Sequence, residues 1–231
     1  MAAPSRPTLD ELRARTQKVF REGGGSRPEV CLIEFDGKPA VLKDYTRSDP
    51  WFRRLVGPLA VRREARALRQ LDGVPGIPRL FATLGSDALV LEFIPGPSAR
   101  ELKRGAFSAE FFERLYRLID TMHSKGVAHC DLRSTGNILL GPGHTPYVVD
   151  FVANFRRARW WNPLTRWAYG KLCEADRGAV ARLKSRFAPE LLTPDEQAAL
   201  ARDRKTPLER GARVLGRGIR DISRWLLTHR R

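Results

Sequence analysis

The segment His129-Cys130-Asp131-Leu132-Arg133-Ser134-Thr135-Gly136-Asn137-Ile138-Leu139-Leu140, followed by Tyr147-Val148-Val149-Asp150-Phe151, constrains this chain more than any other. Apolar runs that read as short buried strands lie beside three polar residues, Asp131, Asn137 and Asp150, with turn residues between them. An Asp beside a His, an Asn six residues later and an Asp closing an apolar run can together orient a hydroxyl nucleophile and hold Mg²⁺ on a nucleotide's phosphates. A hard cation prefers such oxygen ligands.

The segment resembles the catalytic core of the protein-kinase-like superfamily. His129-Cys130-Asp131 stands where that family has HRD, and Asp150-Phe151-Val152 where it has DFG. The likeness runs from about Gly23 to Phe151 and is greatest to the small, atypical bacterial branch, the RIO-like kinases and the lipopolysaccharide-core sugar kinases. The resemblance implies an α+β, bilobal fold in a single domain spanning residues 1–231. Residues 1–94 form an antiparallel five-stranded N-lobe with an N-terminal helix and one main helix. Residues 95–231 form a truncated, mostly helical C-lobe.

The chain before the catalytic segment fits that order. Thr8-Leu9-Asp10-Glu11 reads as a capping box opening a short helix, with Leu9, Leu12 and Phe20 as its apolar residues. Gly23-x-Gly25-x-x-Pro28-x-Val30 matches the family's glycine loop with Pro28 in place of the third glycine. Glycines there let backbone N–H groups approach phosphate oxygens, although a flexible connection reads the same way. Val30–Phe35 and Ala40–Lys43 form a hairpin around an Asp36-Gly37 turn. Lys43 ends the second strand, where a lysine commonly snorkels to water.

From Trp51 to about Leu71 the apolar residues Leu55, Leu59, Val61, Ala65, Leu68 and Leu71 recur at helical spacing and carry Glu64. By resemblance Glu64 pairs with Lys43 so that the lysine meets the α- and β-phosphates. Taken alone, Glu64 reads as a solvated helix carboxylate. Residues 79–84 and 89–94 supply a further strand pair, and Pro95-Gly96-Pro97 a hinge. The resemblance assigns main-chain adenine contacts to Glu92 and Ile94. Ser108 N-caps a helix whose apolar face is Phe111, Phe112, Leu115, Leu118, Ile119 and Met122.

Carried over residue by residue, the family pattern makes Asp131 the group that accepts the hydroxyl proton and Asn137 and Asp150 the Mg²⁺ ligands. Arg133 becomes a γ-phosphate contact, and His129 a brace for the loop. Asn137 lies one position further from Asp131 than in the usual pattern, so the loop must bulge, with Gly136 the candidate position. Cys130 replaces the Arg that many kinases pair with a phosphorylated activation loop.

The 81 residues after Asp150 contain no APE motif. Phe155–Tyr169 interleaves Arg with Trp, a composition suited to an anionic membrane surface or to sugars and bases, and equally to plugging a core. Thr193-Pro194-Asp195-Glu196 and Thr206-Pro207-Leu208-Glu209 each read as a capping box with Pro at the first helical position.

The formal net charge of +16 favours anionic partners without naming one. Cys31, Cys130 and Cys173 have neither a disulfide framework nor metal-ligand spacing. No apolar run suggests a signal peptide or a membrane span. The expectation is a cytoplasmic protein, peripheral at the inner membrane if attached at all, and the resemblance implies that it uses ATP and Mg²⁺ to phosphorylate a hydroxyl acceptor. The favoured acceptor is a lipopolysaccharide-core sugar. The alternatives are a RIO-like Ser/Thr protein kinase, and a pseudokinase or nucleic-acid-binding module.

Overall fold

A computed structural model describes residues 7–157 and 163–203. The chain divides after Leu191 into two compact units. Helix α1 (Leu9–Ala14) opens with the expected capping box, Thr8 Oγ1 accepting from the Glu11 amide and Glu11 from the Thr8 amide. It ends earlier than its apolar residues suggest. Phe20 lies on strand β1 (Thr16–Arg21), the strand that sequence patterning missed, because nothing in Thr16–Arg21 marks a turn between helix and strand.

Strands β2 (Glu29–Phe35) and β3 (Lys38–Asp44) pair around Asp36 and Gly37, both at positive φ (49° and 71°), which is the geometry a two-residue hairpin turn demands. With β4 (Leu80–Leu84) and β5 (Ala88–Glu92) they complete a five-stranded antiparallel sheet of order β1-β2-β3-β5-β4.

Alternation along β3 decides what each face of the sheet carries. Ala40 and Leu42 point to one side and pack with Leu12 of α1, Cys31, Ile33, Ala88 and Val90. On that side the Asp44 carboxylate accepts from Arg13 Nη2 at 2.6 Å. Val41 and Lys43 point to the other side, where Leu89 and Leu91 join the larger core.

The helical stretch after Trp51 is two helices, α2 (Pro50–Leu55) and α3 (Gly57–Gln70). Pro58 stands in the first turn of α3, where its missing N–H costs nothing but where a continuous helix would be broken. The restart changes the helical phase. Leu55 and Leu59, expected on the buried face, are 68% and 57% exposed, whereas Val61, Ala65, Leu68 and Leu71 are buried as expected.

Beyond the hinge, α4 (Ala109–Ser124) is capped by Ser108 Oγ and buries all six residues of its expected face. Short strands follow: β6 (Val127–Ala128), β7 (Ile138–Leu140), β8 (Pro146–Val148) and β9 (Phe155–Arg156), pairing β6 with β9 and β7 with β8. Helix α5 (Pro163–Phe187) completes a mostly helical second lobe, so this part of the chain is a bilobal α+β fold.

The aromatic segment divides between core and surface. Tyr169 is buried, its hydroxyl donating to the His123 carbonyl at 2.6 Å, while Leu164 and Trp167 are 71% and 63% exposed. Trp160 and Trp161 lie outside the described residues. In the second unit, α6 (Pro194–Asp203) has the expected Thr193/Glu196 capping box. The capping box expected at Thr206 lies outside the described residues.

Candidate active site

Lys43 is set on β3 facing α3, and α3 presents Glu64 on its buried side. The Lys43 ammonium donates to Glu64 Oε1 at 2.6 Å and to Asp150 Oδ1 at 3.1 Å. Glu64 is therefore a buried ion-pair partner and not a solvated helix carboxylate. Burial opposes the charge on Lys43, but Glu64 and Asp150 outweigh it and hold its pKa above the ordinary value. Lys43 in turn holds the Asp150 pKa below the usual carboxylate range, against the effect of burial. Glu64 Oε1 also accepts the Phe151 amide at 3.3 Å, so the residue after Asp150 is tied to the same carboxylate.

Asp131 and Asn137 are brought together from the other direction. Asn137 Nδ2 donates to the Asp131 carbonyl at 2.9 Å and to its carboxylate at 3.1 Å. The loop between them closes in a 3₁₀ turn at Thr135–Asn137, which includes the expected bulge position, Gly136. β7 and β8 then place Asn137 against the end of the next strand, its carbonyl accepting the Val149 amide at 2.9 Å. Asp150 follows directly.

Two non-glycine residues here, Cys130 and Asp150, hold positive φ values of 69° and 68°. That left-handed conformation costs roughly 1–2 kcal/mol per residue and persists only where surrounding contacts enforce it.

His129 is wholly buried and braces this arrangement. Its Nδ1 accepts the Asp131 amide at 3.3 Å and its Nε2 donates to the Val149 carbonyl at 3.0 Å, a pattern that fits a neutral ring. Burial holds its pKa below the ordinary value. The ring also meets Phe151 edge-on, 4.8 Å between centroids.

Asp176 on α5 escaped the sequence reading. Its buried carboxylate accepts the amides of His129 at 2.7 Å and Cys130 at 2.9 Å, and faces His123 Nε2 at 3.1 Å. The one signal available was an Asp amid Ala and Val positions of a long helix, which does not name its partners. Burial pushes the Cys130 thiol up to about 12, which disfavours its thiolate.

The remaining candidates are Arg133, Glu92, Ile94 and the glycine loop. Arg133 is exposed, two positions past Asp131. Glu92 ends β5, its amide donating to the Arg79 carbonyl at 2.8 Å and its carboxylate accepting from the Arg79 amide at 3.0 Å. Ile94 is buried just beyond it. Phe20 of β1 stacks on Phe93 between them, with 6.0 Å between centroids.

In the glycine loop, the amide of Gly24 donates to Arg27 and that of Gly25 to Asp49 Oδ1, at 3.1 and 3.2 Å. Gly23 packs so tightly on Arg47 that a Cβ would overlap the arginine side chain. The two loop amides of Gly24 and Gly25 are thus turned to protein acceptors.

The donor set suits Mg²⁺ in one respect. Asn137 spends its Nδ2 on Asp131 and keeps its amide oxygen out of those two bonds, so Asn137 and Asp150 would both offer hard oxygen donors. No cluster of three or more His, Cys, Asp and Glu side chains able to hold a metal forms among the described residues. A Mg²⁺ held by Asn137 and Asp150 would therefore take the rest of its shell from phosphate and water.

No family profile matches the chain. A curated relative, CBL-interacting protein kinase 31 of Oryza sativa subsp. japonica, is 28% identical over 143 residues, which take in 58% of this chain and 31% of the relative. Among solved structures, the Rio2 kinase from Chaetomium thermophilum is similar with a TM-score of 0.56 and 21% identity, over 76% of this chain and 59% of that one. The same kinase as an ADP/Mg²⁺-phosphoaspartate complex gives a TM-score of 0.55 and 20% identity, over 80% and 65%. The chain thus spans about a third of the curated relative and about three fifths of the Rio2 kinase. Its fold is protein-kinase-like and similar to that of RIO-family kinases.

Proposed function

We propose that the protein is an ATP- and Mg²⁺-dependent phosphotransferase with a hydroxyl acceptor, and that it acts as a RIO-like Ser/Thr protein kinase. The observation that carries this reading is the convergence of Lys43, Glu64 and Asp150 through contacts of 2.6 and 3.1 Å, one residue away from the strand end that fixes Asn137 and Asp131. Likeness of fold to Rio2 favours a protein acceptor over the sugar that composition suggested.

In this reading Lys43 holds the α- and β-phosphates, with Glu64 fixing its position. Asp131 takes the acceptor's proton and orients its oxygen, and Asn137 keeps the carboxylate in place while offering its amide oxygen to the metal. Bound Mg²⁺ supplies charge neutralisation on the phosphates. Arg133 lies close enough in sequence to reach the γ-phosphate with a two-pronged contact. The Glu92 and Ile94 main chain receives adenine, and the loop around Gly23 and Gly25 covers the phosphates once its amides are released from Asp49 and Arg27.

A lipopolysaccharide-core sugar is the second reading. It draws on the exposed Leu164 and Trp167 and on the net charge of +16, which suit a glycolipid at an anionic membrane surface. No helix among the described residues is long and apolar enough to cross a membrane.

Transfer from labelled ATP onto protein and membrane glycolipid fractions, run in parallel, tests both. Label on Ser or Thr of protein that disappears in Asp131→Ala and Asp150→Ala supports the first reading, and label on glycolipid the second. Absence of transfer, together with salt-dependent RNA binding indifferent to nucleotide, would leave a pseudokinase or nucleic-acid-binding module.

A further inference from the structure

Helix α3 is joined to the turn after Asp150 by more than the Glu64 carboxylate. Arg63, the preceding residue, donates from Nε to the Val152 carbonyl at 3.2 Å and from Nη2 to the Asn154 carbonyl. The buried Asn154 side chain answers by donating Nδ2 to the Arg63 carbonyl at 3.2 Å and to the Phe151 carbonyl at 2.6 Å. Each partner reaches the other's main chain. The guanidinium fork is matched to two carbonyls in one turn, and the amide closes that turn while bonding the helix.

We infer that Arg63 and Asn154 are positioning residues: they clasp α3 to the 151–154 turn and so hold Glu64 on Lys43 and Asp150 at the site. The inference rests on the proposed kinase function only for its effect on nucleotide. The clasp itself is a property of the free protein.

The physical case has three parts. Residues 63 and 64 are adjacent on α3, so fixing Arg63 leaves the neighbouring Glu64 little freedom to rotate away from Lys43. Asp150 holds a left-handed φ of 68°, a conformation that needs contacts on the following residues to persist. The Phe151 carbonyl bonded by Asn154 and the Phe151 amide bonded by Glu64 supply such contacts on both ends of one residue. These acceptors are main-chain carbonyls and the Glu64 carboxylate, all native groups of the chain, so the clasp requires no modification of the chain to form. A site whose lysine, glutamate and aspartate come from three separate elements is thereby held assembled without a phosphorylated segment.

Two measurements separate the clasp from its consequence, with Asn154→Ala as the main variant and Arg63→Lys, on the exposed side, as a second that leaves the buried amide in place. First, hydrogen–deuterium exchange of the nucleotide-free protein should quicken across residues 57–70 on the order of tenfold in either variant, the factor one or two lost hydrogen bonds are worth, with residues 109–124 unchanged. Unchanged exchange in α3 overturns the clasp. Second, affinity for MgATP should fall on the order of tenfold in Asn154→Ala but little further when the substitution is made in Glu64→Gln, because both act through one contact. Unchanged affinity, or an equal loss in the Glu64→Gln background, overturns the link to Glu64. A wild-type protein that binds no MgATP removes the kinase reading, and the exchange result then decides the clasp alone.

Discussion

The Asp176 carboxylate accepts the backbone amide of His129 at 2.7 Å, and its second oxygen accepts that of Cys130 at 2.9 Å. A residue on α5 thereby fixes the start of the loop that carries Asp131. Cys130 has a left-handed φ of 69°, and its amide is held in that orientation by this acceptor. Asp176→Asn keeps the shape but turns an NH₂ group toward one of two amide donors. We expect a loss of about 2–3 kcal/mol, the cost of an unsatisfied buried donor at a charged partner, together with reduced phosphotransfer. Chemical denaturation and labelled-ATP turnover check it; stability equal to wild type would remove the anchoring role.

The Lys43–Glu64 pair predicts an asymmetry. Both side chains are nearly inaccessible, but Lys43 keeps Asp150 when Glu64 is lost, whereas Glu64 is left as an uncompensated buried charge when Lys43 is lost. Lys43→Met should destabilise by about 3–5 kcal/mol, Glu64→Leu by less, and the double substitution by less than Lys43→Met alone. Thermal melts of the three variants decide this. MgATP affinity should fall in all three, the double variant included, which distinguishes stability from binding.

His129 sets a pH dependence. Burial lowers its folded-state pKa, although Asp176, Asp150 and Asp131 oppose the shift, so the folded protein resists a proton that the unfolded chain accepts near the ordinary value of 6.5. The unfolded state then binds more protons as pH falls, and stability must fall with it. It is fully present above 6.5 and is lost from there down toward the folded-state pKa, at up to about 1.4 kcal/mol per pH unit. Urea midpoints between pH 8 and pH 5 should fall more steeply for wild type than for His129→Gln; parallel curves would contradict the buried neutral ring.

Gly96 in the hinge holds φ at +136°, and a Cβ there would overlap the Leu140 carbonyl. The hinge runs directly along β7, with the Leu140 amide donating to the Pro97 carbonyl at 2.9 Å and the Ala99 amide to the Ile138 carbonyl at 2.8 Å. Gly96→Ala should therefore destabilise by roughly 1–3 kcal/mol through overpacking against rigid backbone. Its melting temperature, compared with that of Gly143→Ala, isolates the clash: Gly143 also has positive φ, at 64°, but a Cβ there meets only Thr145 Oγ1 at 3.9 Å.

Local chemistry was read correctly wherever the governing groups are neighbours in sequence. The Thr8/Glu11 and Thr193/Glu196 boxes, the Asp36-Gly37 turn, the Ser108 cap and the six-residue face of α4 each depend on groups within one or two turns of chain. The same locality failed where two elements meet without a breaker. Thr16–Arg21 follows α1 with no Gly or Pro, and so β1 and Phe20 were assigned to the helix. Pro58 restarts the helix, so the spacing that puts Leu55 and Leu59 on the buried face does not hold across it.

By itself the sequence determined the candidate residues and the order in which they come, because capping, turn and strand signals act over a few residues and the candidate segment is nearly contiguous. Resemblance to a known family anticipated the Glu64–Lys43 pair, and only the tertiary structure decided the other long-range contacts. Glu64 meets Lys43 from 21 positions away, Asp176 meets His129 from 47, and Asn154 meets Arg63 from 91. Hydrogen-bond partners of that separation are set by how the sheet, α3 and α5 pack, and burial then fixes their charge states. A linear pattern has no term for that.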